Sequence, residues 1–72
     1  MPDMKPVASS SIAAIGYDAE KRELHIRFID PAGTWVYYDV APFTAAAFLR
    51  SESKGAFFND ALKDRYRYAR LD

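Results

Sequence analysis

The six residues Glu23-Leu24-His25-Ile26-Arg27-Phe28 alternate polar and apolar without a break, and a period of two fits an extended strand with one buried face. Leu24, Ile26 and Phe28 then share the buried face, while His25 and Arg27 point away from it, which makes His25 an expected surface residue. Turn-forming residues stand on both sides. Upstream, Asp18-Ala19-Glu20-Lys21 separates this strand from Ile12 to Tyr17, which reads as a first strand. Downstream, Asp30-Pro31-Ala32-Gly33 offers Pro for the fixed φ of a type I turn and Gly for a positive φ, so a second hairpin is expected. The third strand runs from Thr34 to Val40, with Trp35 and Tyr37 on one face and Val36 and Tyr38 on the other. Two tight connections in succession require antiparallel neighbours, because parallel strands need long crossovers.

After Val40 the period changes. Pro42 suits a first helical position, and Phe43 to Arg50 holds strong helix formers with Ala45, Phe48 and Leu49 at helical spacing. Ser53 is the expected N-cap of a second helix reaching about Arg65, in which Phe58, Ala61, Leu62 and Arg65 follow the i, i+3, i+4, i+7 pattern. The tail Tyr66 to Leu71 alternates and is expected to be extended. Residues 1–10 contain two prolines and little to bury, and read as a flexible N-terminal arm; residues 11–72 form the one domain. The fold class is therefore α+β, a three-stranded antiparallel β-meander covered by two C-terminal helices (βββαα). Its expected core is Leu24, Ile26, Phe28, Trp35, Tyr37, Phe48, Leu49, Phe58 and Leu62.

At 72 residues the chain has room for one core and buries only about 60 % of the surface its unfolded form exposes. It contains no cysteine and one histidine, which excludes disulfides and thiolate metal sites and leaves no basis for a zinc site. Packing has to supply the stability, and the five Phe, five Tyr and single Trp bring large areas to bury. Ten basic residues balance ten acidic ones, so the chain lacks the single-signed field that draws proteins to nucleic acid or anionic lipid, and any such binding must come from a local patch. No apolar run approaches the ~20 residues needed to span a bilayer, and the first eleven residues lack a signal-peptide apolar stretch. The expected location is the cytoplasm, with no membrane partner.

Several local signatures, in order, resemble one family. These are Ile15-Gly16-Tyr17-Asp18, then Leu24-x-Ile26-x-Phe28, then an aromatic-x-aromatic pair followed by Val40, then Ser53-Lys54-Gly55-x-x-Phe58-Asn59, and a closing Arg65-Tyr66. Together they resemble the KTSC domain, found at the C-terminus of some lysyl-tRNA synthetases and as a free-standing bacterial protein. The resemblance spans about Ser11 to Leu71. This chain has Trp35 where the family pattern has the first tyrosine of its central pair, and Arg67 where a proline commonly separates the last two tyrosines. The resemblance implies no established activity and no cofactor; its association with tRNA synthetases implies RNA binding.

Four features are candidates for function. Trp35 and Tyr37, on one sheet face, have the spacing of a base-stacking platform, but in so small a domain the expected role of such a pair is core, which leaves Tyr38 as the better exposed aromatic. Ser53-Lys54-Gly55 opens a helix, where free backbone N–H groups, an ammonium and a glycine suit an anion; the competing reading is a Ser N-cap beside a solvated Lys. Lys63, Arg65, Arg67 and Arg70 are interleaved with Tyr66 and Tyr68, the guanidinium and phenol mixture that single-stranded nucleic acid recognition uses. His25 has no nucleophile or orienting partner near it in sequence, and the serines at 9 to 11 have no elbow motif, so no catalytic residue is assigned. The expected function is a small non-catalytic binding module, with RNA bound weakly or structure-specifically through Tyr38, Lys54, Gly55, Lys63, Arg65, Tyr66, Arg67 and Arg70. The alternative is a protein-interaction module that uses a sheet face or edge.

Overall fold

A computed structural model describes residues 2–72; Met1, the first residue of the expected arm, lies outside the described residues. The elements in chain order are β1 (Lys5–Pro6), β2 (Ile12–Asp18), β3 (Glu23–Phe28), β4 (Gly33–Tyr37), α1 (Pro42–Arg50), α2 (Lys54–Phe57) continued by one π-helical turn (Phe58–Leu62), and β5 (Tyr68–Arg70). All five strands form one antiparallel sheet in the order β1-β2-β3-β4-β5. The meander of β2, β3 and β4 is as expected, but the sheet has five strands rather than three. The helices are also not C-terminal to it, because the chain leaves β4, forms both helices and returns as β5 against β4.

Local chemistry accounts for each junction. The Asp18 carboxylate accepts from the backbone N–H groups of Glu20 and Lys21 at 3.0 and 3.1 Å, closing the first turn. In the second turn the Asp30–Pro31 peptide is cis, and Gly33 does not take the expected positive φ but opens β4 instead. Pro42 stands at the start of α1 as expected. Ser53 accepts from the N–H of Ala56 at 3.2 Å and caps α2. The second helix stops at Leu62, three residues before the expected end, because the Lys63 N–H bonds the Phe58 carbonyl at 2.8 Å and Asp64 turns to φ 63°. Arg65 therefore lies outside the helix and is exposed.

The core sits between the sheet and the helices. Ile12, Ile15, Leu24, Ile26, Tyr37, Val40, Ala45, Phe48 and Leu62 form one buried cluster, with Phe28, Trp35, Phe57, Phe58 and Tyr66 packed partly buried against it. Ile12 and Ile15 both reach this face although they are three residues apart, because the β2–β3 register shifts between Ile12 and Ala14 and absorbs one residue. Phe57 stacks on Phe48 at 5.3 Å, and the Phe58 ring meets Phe28 and Tyr37 edge-on at 5.2 and 5.6 Å. Leu49, expected in the core, is 42 % exposed, because it stands at the border of the packed face and lines an open groove beside Ile15 and Tyr17.

The second sheet face is also covered, which reverses two expectations. Val36 is buried, and so is His25, at 5 % exposure. Gly16 and Val36 flank His25 in register, and Asp3 and Met4 cross this face over Gly16, where a Cβ would meet the Asp3 carbonyl and the Met4 sulfur at 2.8 Å each. Residues expected to belong to an unpaired arm thus carry an edge strand and a cover.

Candidate functional site

At one end of the helix-bearing face Tyr37 is buried in the core, as expected, and Trp35 is half-buried beside it, while Tyr68 is exposed. Trp35 and Tyr37 stand on this face from β4, and β5 adds Tyr68 opposite Tyr37 and Arg70 opposite Trp35. The Tyr68 ring lies 5.5 Å from Trp35 and 5.8 Å from Tyr37, tilted to both. The π-helical turn brings Phe58 against Tyr37, and the reversal at Asp64 sets Lys63 and Asp64 at the rim. Trp35, Tyr37, Phe58, Lys63, Asp64 and Tyr68 thereby line an open pocket of about 170 Å³. At roughly 30 Å³ per liquid water this holds about six waters, which is space for one small planar or compact group.

The electrostatics of the pocket are mixed. Burial, then the nearby Tyr68 and Asp64, push the Tyr37 phenol up to about 12, so it stays neutral and keeps its proton at ordinary pH. The Arg70 guanidinium lies 5.8 Å from the Trp35 ring centre, donates to the Ala32 carbonyl at 3.1 Å and approaches Asp72 at 3.8 Å. Asp72 in turn accepts from the Thr34 N–H at 2.8 Å, and that hydrogen bond, aided by Arg70, holds its carboxyl below the usual range. These contacts fasten the chain end along β4 and hold Arg70 beside Trp35.

The sequence-predicted residues do not converge on one place. Lys63 is at the pocket rim and Arg70 is beside it. Arg67 is elsewhere: it pairs with Asp39 at 3.3 Å and lies 5.2 Å over the Tyr38 ring, and Tyr38, half-buried beneath it, is not the exposed aromatic the sequence suggested. Arg65 projects from the turn before β5, and Tyr66 packs partly buried against the core. Lys54 donates a hydrogen bond from its ammonium to the Ser51 carbonyl and ties the link between α1 and α2, and Gly55 lies against the Ser11 hydroxyl just before β2. Tyr68, 54 % exposed, was named only as part of the basic and aromatic tail and Phe58 only as core, and neither they nor Asp64 stood among the expected binding residues. The signal for Tyr68 was the alternation of the tail: pairing Tyr66 to Leu71 with β4 puts its residues alternately on the Trp35–Tyr37 face.

Outside this pocket, the described residues hold no group of three or more His, Cys, Asp or Glu side chains placed to bind a metal ion. No helix among them is long and apolar enough to cross a membrane.

An antiparallel meander with a helical pair inserted before its last strand, and an aromatic pocket where that strand docks, defines a small α+β domain of one recognisable class. The chain belongs to the KTSC domain family, whose model matches residues 8–66. A KTSC domain protein from Yersinia pestis of known crystal structure superposes with a TM-score of 0.95 at 32 % identity, covering 100 % of both chains. A protein of Tsukamurella paurometabola is 43 % identical over 94 % of this chain and 100 % of its own length. An uncharacterised protein of Stutzerimonas stutzeri is 40 % identical over 96 % of this chain and 100 % of its own.

Proposed function

We propose that this domain is a non-catalytic binding module for single-stranded RNA, and that it binds through the aromatic pocket between β4, β5 and the π-helical turn. The observation that carries the reading is the pair of accessible rings Trp35 and Tyr68, backed by the buried Tyr37, with Lys63 and Arg70 at their margin. Bases stack on aromatic faces whatever their sequence, and cations beside the platform neutralise the phosphates that accompany a stacked base. The balanced net charge fits weak, local binding rather than tight nonspecific binding, which depends on many phosphate contacts.

This reading narrows the basic segment to the two cations that share the face of the rings. The double variant Lys63→Ala/Arg70→Ala should weaken binding of single-stranded RNA and reduce the slope of log K against log salt by about two phosphate equivalents. Arg67→Ala, on the opposite face, should leave both unchanged. Titration of labelled single-stranded and hairpin RNA at two salt concentrations, with circular dichroism to check the fold, makes the comparison. Absence of binding at low salt, or equal loss on removing Arg67, removes the reading and leaves protein interaction through a sheet face or edge in its place.

A further inference from the structure

The pocket contains more than a stacking platform. Among its six lining residues Asp64 is the one acid, and among the described residues its carboxylate takes part in no ion pair. The residue is held there by the backbone: at φ 63° the chain reverses between the helix and β5, and Asp and Asn are the residues besides glycine that adopt this conformation routinely. The Tyr37 phenol keeps its proton, with its pKa near 12, so no second negative charge develops in the pocket at ordinary pH.

A carboxylate beside aromatic rings discriminates among bases. It offers two acceptor oxygens and no donor, and therefore matches an edge that carries two adjacent donors. Guanine presents N1–H next to the 2-amino group. Cytosine and adenine place an amino group beside an acceptor nitrogen, which repels the second oxygen, and uracil flanks its single N–H with two carbonyls. The same rings and carboxylate would also suit an organic ammonium, but the Lys63 ammonium lines the pocket too, and it opposes a cationic occupant while favouring one that carries a phosphate.

We propose that the pocket accepts a single unpaired guanine, stacked against the accessible rings of Trp35 and Tyr68, with the Asp64 carboxylate accepting from its N1–H and 2-amino edge and Lys63 beside its phosphate. This inference rests on the RNA-binding reading above and gives it a base preference. Trp35 is the single tryptophan of the chain, so its fluorescence reports occupancy directly. The probes are five-nucleotide RNAs of uridine whose central residue is guanosine, inosine, adenosine, cytidine or uridine. The guanosine probe should bind roughly tenfold more tightly than the uridine probe, the discrimination a bidentate base contact carries, and inosine, which lacks the 2-amino group, should fall between. Asp64→Asn, which keeps a residue suited to positive φ, should bring the guanosine and uridine affinities together, and a guanosine preference that persists in the variant overturns the role given to Asp64. Equal affinity for all five probes in the wild-type chain overturns the guanine assignment and leaves the RNA-binding reading standing, and this comparison needs no variant to fold. Binding of none of them removes both. A response of Trp35 to tetramethylammonium but to no RNA overturns both in favour of an ammonium site.

Discussion

His25 is a buried imidazole with neither ring nitrogen hydrogen-bonded, and its one charged neighbour in reach, the Glu23 carboxylate, lies 3.7 Å from Nε2. Burial lowers its pKa below the ordinary 6.5, and the Glu23 charge opposes that shift without cancelling it. The sign for stability follows from proton counting. As pH falls below about 6.5 the unfolded chain takes up a proton that the folded chain resists, so stability is full above that pH and declines beneath it until the folded pKa is reached. Asp72 acts in the same sense but further down: its depressed carboxyl contributes stability above the ordinary 3.8 that is lost as pH falls through the lowered value. Urea denaturation at pH 7.5 and pH 5.0 should show lower stability at pH 5.0, and His25→Phe should flatten the difference; an equal difference in the variant contradicts the assignment to His25. The alternation of Glu23 to Phe28 told correctly that His25 faces away from Leu24 and Ile26. It could not tell that this second face is covered, because the cover comes from Asp3 and Met4, whose own composition signals no structure.

At the scale of elements, the start signals were local and readable, and the pairings were not. Pro42 begins α1 and Ser53 caps α2, since proline geometry and side-chain capping act within a few residues. The end of the second helix depends on a wider backbone turn from Phe58 to Lys63, and no residue pattern marks it. The short strands β1 and β5 exist only because β2 and β4 offer open edges, and a two-residue or three-residue strand has too little sequence to announce a partner. This is also why the pocket was only partly legible: Trp35 and Tyr37 were visible as a pair, but Tyr68, Phe58 and Asp64 join them only once β5 docks and the helix turns. Gly16 tests the role of the N-terminal strand. A Cβ there would strike the Asp3 backbone carbonyl at 2.8 Å, and a backbone atom cannot move aside alone. Gly16→Ala should therefore displace residues 3–6 from β2 and cost about 1–3 kcal/mol. Hydrogen exchange should quicken at Val7, whose N–H bonds Ala13, while α1 stays protected; unchanged protection at Val7 would show that the segment is not held as described.

Across the whole molecule the two sheet faces have different duties. One packs against the helices and, beyond their end, opens into the aromatic pocket; the other is closed by small residues, His25 and the first residues of the chain. Arg67 is tied to Asp39 and Tyr38 on the far side and Lys54 to the junction before α2, so the binding claim stands on one pocket. The most direct measurement is the map of ¹H–¹⁵N chemical-shift changes when single-stranded RNA is added to the ¹⁵N-labelled protein. The predicted result is a compact set of shifts at Trp35, including its indole N–H, and at Tyr37, Phe58, Lys63, Asp64 and Tyr68, with Tyr38, Arg67 and the Ser53–Gly55 segment unmoved. Shifts centred on Tyr38 and Arg67 or on Lys54, or no shifts at all, would contradict it.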